Sequence, residues 1–312
     1  MSRVLVTGAT GFIGRGALAP LLAAGLDVHA VTSRTIPNGG PAGVRWHQAD
    51  LHAETETAAL VAEIAPTHLL HLAWYAEPAR FWTSTENVRW VEASLRLLRA
   101  FAAQGGERVV CAGTCAEYEW RDEVVCSEVD TPCRPATLYG TSKHALRLLA
   151  ESFATQACLS LAWGRVFFVF GPHESPARLG GSVSRALVRG ERAACSHGRQ
   201  QRDFIYSEDL ADAFAALLLS PVEGAVNLAT GEATDIRTLV QALAAAAGRP
   251  DLVDLGARPA NPNEPNVLLA DTARLRDEVG WAPPSGLAQR AADTIAWWRA
   301  HLTEPDPRPA TG

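Results

Sequence analysis

The chain has no apolar run near the ~20 residues that a bilayer-spanning helix needs, so no membrane partner is expected. It has no excess of positive charge: 34 acidic against 28 basic residues leave a net charge of −6, which gives no reason to expect nucleic acid as a partner. None of its six cysteines, Cys111, Cys115, Cys126, Cys133, Cys158 and Cys195, forms a C-x-x-C pair. That argues against a zinc site, and several of the six lie in apolar runs, so buried free thiols in a reducing cytosol are expected. Met1-Ser2-Arg3 runs straight into an apolar strand, so no leader and a cytoplasmic location are expected. No internal repeat is visible. What is present is size: 312 residues, 47% of them hydrophobic, enough for one large domain or two modest ones with a core.

The first half alternates short apolar runs with helical patterns. Strands are expected at Val4–Thr7, Asp27–Thr32, Val44–Trp46, His68–Leu72 and Arg108–Cys111. Helices are expected over Phe12–Ala24, Thr55–Ile64, Glu86–Gln104 and Tyr139–Gln156. Such alternation predicts an α/β fold, a Rossmann-type doubly wound parallel sheet that binds ligands at the carboxyl ends of its strands. After Gly171-Pro172, Pro and Gly become frequent, and helical stretches persist at Ser182–Arg189, Ser207–Leu219, Arg237–Ala246 and Leu287–Trp298. This part is expected to be a smaller, mixed α/β substrate domain. The expected division is 1–170 for the dinucleotide-binding domain, with segments around 203–230 returning to it, and 171–302 for the substrate domain. A polar, Pro-rich tail at 303–312 is expected to be disordered.

Thr7-Gly8-Ala9-Thr10-Gly11-Phe12-Ile13-Gly14 joins the first strand to the first helix. Glycines at this turn let backbone N–H groups approach a pyrophosphate, and the helix N-terminus faces it with partial positive charge. Gly8, Thr10, Gly11, Phe12, Ile13 and Gly14 are therefore cofactor-binding candidates. The second strand ends in Val31-Thr32-Ser33-Arg34, without the carboxylate that holds a ribose hydroxyl in an NAD site. Ser33 and Arg34 suit a 2′-phosphate, which favours NADP(H) over NAD(H), and Arg15 offers a second cation. Asp50 and Leu51, after the third strand, are candidates for the adenine.

Tyr139 and Lys143 lie four residues apart, stacked on one face of a helix. A free tyrosine has a pKa near ~10, and a neighbouring ammonium lowers it toward a useful acid or base. The strand Arg108–Cys111 runs into Ala112-Gly113-Thr114, which puts the Thr114 hydroxyl within reach of the phenol and a substrate carbonyl.

With these residues in place, the chain resembles an extended short-chain dehydrogenase/reductase of the epimerase/dehydratase family of nucleotide-sugar enzymes. TGATGFIG, His71-Leu72-Ala73, Asn87, Thr114 followed by Tyr118, YGTSK, Gly171-Pro172, Arg202-Asp203-Phe204-Ile205-Tyr206 with Asp209, Asn227-Leu228-Ala229-Thr230-Gly231 and Gly280-Trp281 carry the resemblance. It implies a Thr114–Tyr139–Lys143 triad, dinucleotide contacts that include Leu72 and Ala73, a homodimer through helices 86–104 and 139–156, and a nucleotide-diphosphate sugar met by Arg202. Trp74, Cys115 and Glu117 are further substrate-binding candidates; no metal ligand is expected.

Departures narrow the chemistry. Where 4,6-dehydratases place an Asp-Glu pair, this chain has Cys115 and Ala116, which argues against water elimination. The Cys and His of combined epimerase/reductases correspond to Ala116 and Ser182. Phe168 stands where the family has an asparagine for the nucleotide, and Asn261 stands at a frequent arginine position, with Arg258 nearby. Three classes remain. The expected one is an NADPH-dependent 4-ketoreductase of a nucleotide 4-keto-6-deoxysugar, favoured by Ser33-Arg34. The alternatives are a nucleotide-sugar epimerase and a non-catalytic cofactor-sensing protein, the last disfavoured by the intact triad.

Overall fold

A computed structural model describes residues 2–37, 39–122, 124–261, 264–284 and 286–302. The tail expected to be disordered lies outside these residues.

Strands β1 (Arg3–Thr7), β2 (Asp27–Thr32), β3 (Arg45–Gln48), β4 (His68–His71) and β5 (Arg108–Thr114) join strands Ser160–Val166 and Gly224–Leu228 in one seven-stranded sheet. Every pairing in it is parallel. The order across it is Gly224–Leu228, Ser160–Val166, β5, β4, β1, β2, β3. From β1 the chain winds one way to β2 and β3, and from β4 the other way. The carboxyl ends of β1 and β4 therefore flank the switch point at which such sheets bind ligands.

The helices are α1 (Gly14–Ala23), α2 (Glu54–Ile64), α3 (Glu86–Ala103), α4 (Leu138–Ala157), α5 (Leu179–Arg189), α6 (Ser207–Leu219), α7 (Ile236–Ala247) and α8 (Leu287–His301). The period-2 pattern of β1 splits its side chains between two cores. Val4 and Val6 pack with Leu18 and Leu21 of α1 and Leu210 and Phe214 of α6, and Leu5 packs on the other face with Leu60 of α2, Leu97 of α3 and Leu146 of α4. Helices on both faces make the sheet doubly wound.

The remainder is the smaller, mixed α/β part. Leu187 of α5, Leu243 of α7 and Ile295 of α8 meet in a separate core. A four-stranded sheet runs Thr234–Asp235, Gln201–Arg202, Val267–Ala270, Val124–Cys126, with one antiparallel pairing.

Several sequence expectations need correction. The third strand lies at Arg45–Gln48 rather than Val44–Trp46. Strand Ser160–Val166, paired on both sides next to one edge of the sheet, was not foreseen. On the two helices expected to pair in a dimer, Leu98 and Leu146 serve the chain's own core, whereas Leu149 is exposed. Cys158 is exposed, at the left-handed C-cap of α4, and Cys133 is only half-buried; the other four thiols are buried.

Candidate active site

The turn between β1 and α1 requires glycine at two points. Gly8 has φ +68, and a Cβ there would lie 2.7 Å from the Ala73 amide nitrogen. A Cβ on Gly14 would lie 2.2 Å from the Gly8 carbonyl oxygen. The loop is thus folded tightly on itself and against the end of β4, and α1 begins directly after Ile13. This cradle and the helix N-terminus fit a dinucleotide pyrophosphate.

His71, at the end of β4, stiffens this junction. Ser94 Oγ donates to the Trp90 carbonyl at 2.6 Å, so His71 Nε2 donates to Ser94 Oγ at 2.8 Å, and Nδ1 is left to accept from Thr7 Oγ1 at 2.7 Å. Burial first, and then the Lys143 charge, lower its pKa to about 3, which keeps it in that neutral tautomer. The Ala73 N–H donates back to Thr7 Oγ1.

Asp50 is exposed and Oδ1 accepts from the His52 N–H, a local turn contact, whereas Leu51 is buried. Ser33 and Arg34 are both exposed at the end of β2. Arg15 does not join them. Its guanidinium donates to the Thr10 and Gly11 carbonyls and meets His173, which has φ +64 and lies tilted against Trp297 of α8. Arg15 therefore braces the back of the glycine loop against the C-terminal helix.

Thr114 ends β5, and α4 brings Tyr139 and Lys143 to the same place. The Thr114 hydroxyl hydrogen-bonds the Tyr139 phenol. The Tyr139 ring stands edge-on to Phe81 and Trp82, with centroids 4.9 and 5.7 Å away, and its N–H donates to the Trp82 carbonyl. Burial pushes the phenol up to about 12, while the Thr114 hydrogen bond and the Arg178 charge pull it down. Lys143 Nζ donates to the Ala112 carbonyl at 2.7 Å and lies 3.7 Å from the centre of the Trp74 ring. Burial lowers the ammonium to about 7, and no carboxylate among the described residues pairs with it. A buried amine at the carboxyl end of β5 suits the ribose of a dinucleotide seated on the glycine turn.

Lys143 is the only lysine in a chain with 27 arginines, a signal that motif reading passed over. The same singularity gives a clean measurement. In protein stripped of dinucleotide and labelled only in lysine, one ε-amine resonance should titrate near pH 7. Desolvation disfavours the charged form, so the shift must be downward from ~10.4. A midpoint at 10 would show the amine to be solvated and would contradict this burial.

The four expected substrate contacts are all engaged within the protein. Glu117 is fully buried: its Oε1 accepts from the Thr114 N–H and from Trp163 Nε1, and Oε2 accepts from Arg165 Nε at 3.1 Å. It is a core ion pair holding the Thr114 turn in place, not a pocket residue. Trp74 presents its ring to Lys143 and donates from Nε1 to Asn87 Oδ1. Cys115 is buried against Tyr118, Cys126 and Phe167, and burial raises its thiol pKa, so it stays protonated. Arg202 is buried, stacked over Phe168 and paired with Glu264 Oε2 at 3.2 Å.

The remaining motif residues are clamps. Asp203 accepts from the Thr230 hydroxyl and from the N–H groups of Thr230 and Gly231. Asn227 accepts from the Tyr118 hydroxyl and donates to the Cys126 and Asp271 carbonyls, and Trp281 donates to Asp212 of α6.

A glycine-rich β1–α1 turn at a switch point, with a hydroxyl–tyrosine–lysine set at the end of β5 and on α4, defines a class: Rossmann-type enzymes of the extended short-chain dehydrogenase/reductase kind. The family model described as the NAD dependent epimerase/dehydratase family matches residues 4–229, and the chain belongs to that family. The chain is similar to UDP-glucose 4-epimerase of Mycolicibacterium smegmatis, 28% identical over 95% of this chain and 98% of that protein. It is also similar to the solved UDP-glucose 4-epimerase of Thermus thermophilus in complex with NAD, 27% identical with a TM-score of 0.81 over 96% of this chain and 99% of that one. MoeE5, solved with UDP-glucose and NAD, is 31% identical with a TM-score of 0.82, over 97% of this chain and 100% of that one. No helix among the described residues is long and apolar enough to cross a membrane.

Proposed function

We propose that the chain is a nucleotide-sugar epimerase that inverts a carbinol carbon, C4, of a UDP-hexose. The observation that carries this reading is near-full-length kinship to UDP-glucose 4-epimerases combined with the Thr114–Tyr139–Lys143 set standing together in the fold. It replaces the ketoreductase expectation as the first reading. The Gly8–Gly14 turn and Lys143 would hold a nicotinamide dinucleotide, which would supply a reversible hydride acceptor. The chain's own residues handle the proton and the geometry. Thr114 and Tyr139 hydrogen-bond the reacting oxygen, and Tyr139 accepts its proton during oxidation and gives it back during reduction. Lys143 would hold the ribose through its buried amine. Incubating the enzyme with UDP-galactose and no added reductant should yield UDP-glucose by liquid chromatography. Absence of any epimer from UDP-hexoses, with oxidation of NADPH by nucleotide 4-keto-6-deoxysugars, would replace this reading with the ketoreductase.

That second reading keeps one specific support. Between Val28 and Ala49 the sequence has no carboxylate, and the exposed Ser33 and Arg34 are suited to a 2′-phosphate. NADP(H) is accordingly the dinucleotide proposed for this site, although the structural relatives were solved with NAD. Arg34→Ala should raise the NADPH dissociation constant much more than that of NADH. Equal losses would remove the 2′-phosphate assignment and leave NAD as the resident cofactor.

A homodimer is proposed through α3 and α4, on which Val88, Leu148 and Leu149 remain exposed. Light scattering at micromolar concentration should then give twice the 33.3 kDa chain mass; a monomer mass rejects it.

A further inference from the structure

The residue just before α5 is an arginine that the mechanism above does not use. Arg178 is half-buried, and its guanidinium lies over the Phe81 ring, 5.6 Å from the centroid. Phe81 in turn stands edge-on to Tyr139, with centroids 4.9 Å apart. A single aromatic ring thus separates the guanidinium from the phenol, and its charge acts on both Tyr139 and Glu174. No carboxylate among the described residues forms an ion pair with it. Glu174 does not supply the missing charge. Its Oε2 is buried without a hydrogen-bond partner, packed against Gly180 in the first turn of α5. Burial pushes this acid up to about 8, against the pull of Arg178 and of nearby backbone N–H groups, so at neutral pH it is mostly uncharged. The result is a half-buried cation beside the reacting centre with no anion to meet it, and such charges are ordinarily paired.

We propose that Arg178 receives a carboxylate carried by the sugar itself, so that the substrate is a nucleotide-linked uronic acid in preference to a neutral hexose. The proposal rests on the nucleotide-sugar reading above. In a nucleotide hexose the diphosphate is attached at C1, across the pyranose ring from C4, whereas C6 branches from C5, directly beside C4. An anion held one aromatic ring from Tyr139 therefore belongs on C6. The planar fork of a guanidinium matches a carboxylate in a two-pronged contact that a lysine cannot reproduce.

Calorimetric titration of the purified enzyme with UDP, UDP-glucose and UDP-glucuronate tests this, with Arg178→Gln and Arg178→Lys as variants checked by circular dichroism. The wild type should bind UDP-glucuronate at least about tenfold more tightly than UDP-glucose, as one charge-assisted contact implies. In Arg178→Gln that ratio should fall to about one, and Arg178→Lys should recover part of it. Equal affinity for the two sugars in the wild type, or equal loss of both in Arg178→Gln, overturns the proposal while leaving the nucleotide-sugar reading in place. Failure of all three ligands to bind overturns that reading as well. The wild-type ratio decides the question even if a variant does not fold.

Discussion

Tyr139→Phe should lower kcat by about 10²–10⁴-fold, the usual cost of losing a positioned general acid–base group. The phenol hydrogen-bonds Thr114, and its ring is fixed by Phe81 and Trp82, so the substitution removes one oxygen and leaves the packing intact. Dinucleotide affinity should change little, because the cradle at Gly8 and Gly14 and the Lys143 amine are untouched. Steady-state kinetics beside a fluorescence titration of the dinucleotide separates the two effects. Lys143→Ala should differ in kind, with both turnover and dinucleotide affinity falling. Near-normal turnover in Tyr139→Phe would place the acid elsewhere and sink the mechanism.

Glu117→Ala should cost stability rather than substrate affinity. Glu117 and Arg165 are almost wholly inaccessible and face each other at 3.1 Å. Burial opposes the Arg165 charge, but Glu117 and Tyr118 more than restore it, so its pKa moves upward. Removing one partner of such a pair costs about 3–5 kcal/mol, because the other charge is left buried alone. The thermal midpoint should fall on the order of 10 °C. Turnover should fall too, since Glu117 accepts from the Thr114 backbone and anchors Trp163. An unchanged midpoint with weakened nucleotide-sugar binding would instead make Glu117 a ligand to substrate.

That contrast shows where the sequence is readable. The β1–α1–β2 unit is legible because its apolar alternation and glycine spacing are local signals, and Asp27–Thr32 and Ser207–Leu219 fall where pattern places them. Strand Ser160–Val166 is not legible, because Trp163-Gly164-Arg165 breaks its apolar run. Those three are buried only because Glu117, forty-odd residues earlier in the chain, pairs with two of them, and because a Cβ on Gly164 would meet Phe214 and Leu228. Glu117 itself looks like a pocket acid, since nothing in its neighbourhood names the arginine it serves. Arg178 escapes notice for the same reason. It has no spacing relation to Tyr139, and the start of α5 delivers it. The orientation of Trp74 is not legible either, because which way an indole turns depends on Asn87 and Lys143 together.

The seventh strand has a consequence for how the protein is made. Gly224–Leu228 and α6 complete the sheet and one of its two cores, yet the residues they cover, Val4, Leu18 and Leu21, leave the ribosome some two hundred residues earlier. One face of the nascent sheet therefore stays apolar and uncovered through most of translation. Pairings so distant in sequence form slowly, and uncovered strands of this kind favour association. Nascent chains stalled before residue 207 should accordingly depend on chaperone cover, and chains stalled beyond the exit tunnel after Leu228 should resist protease.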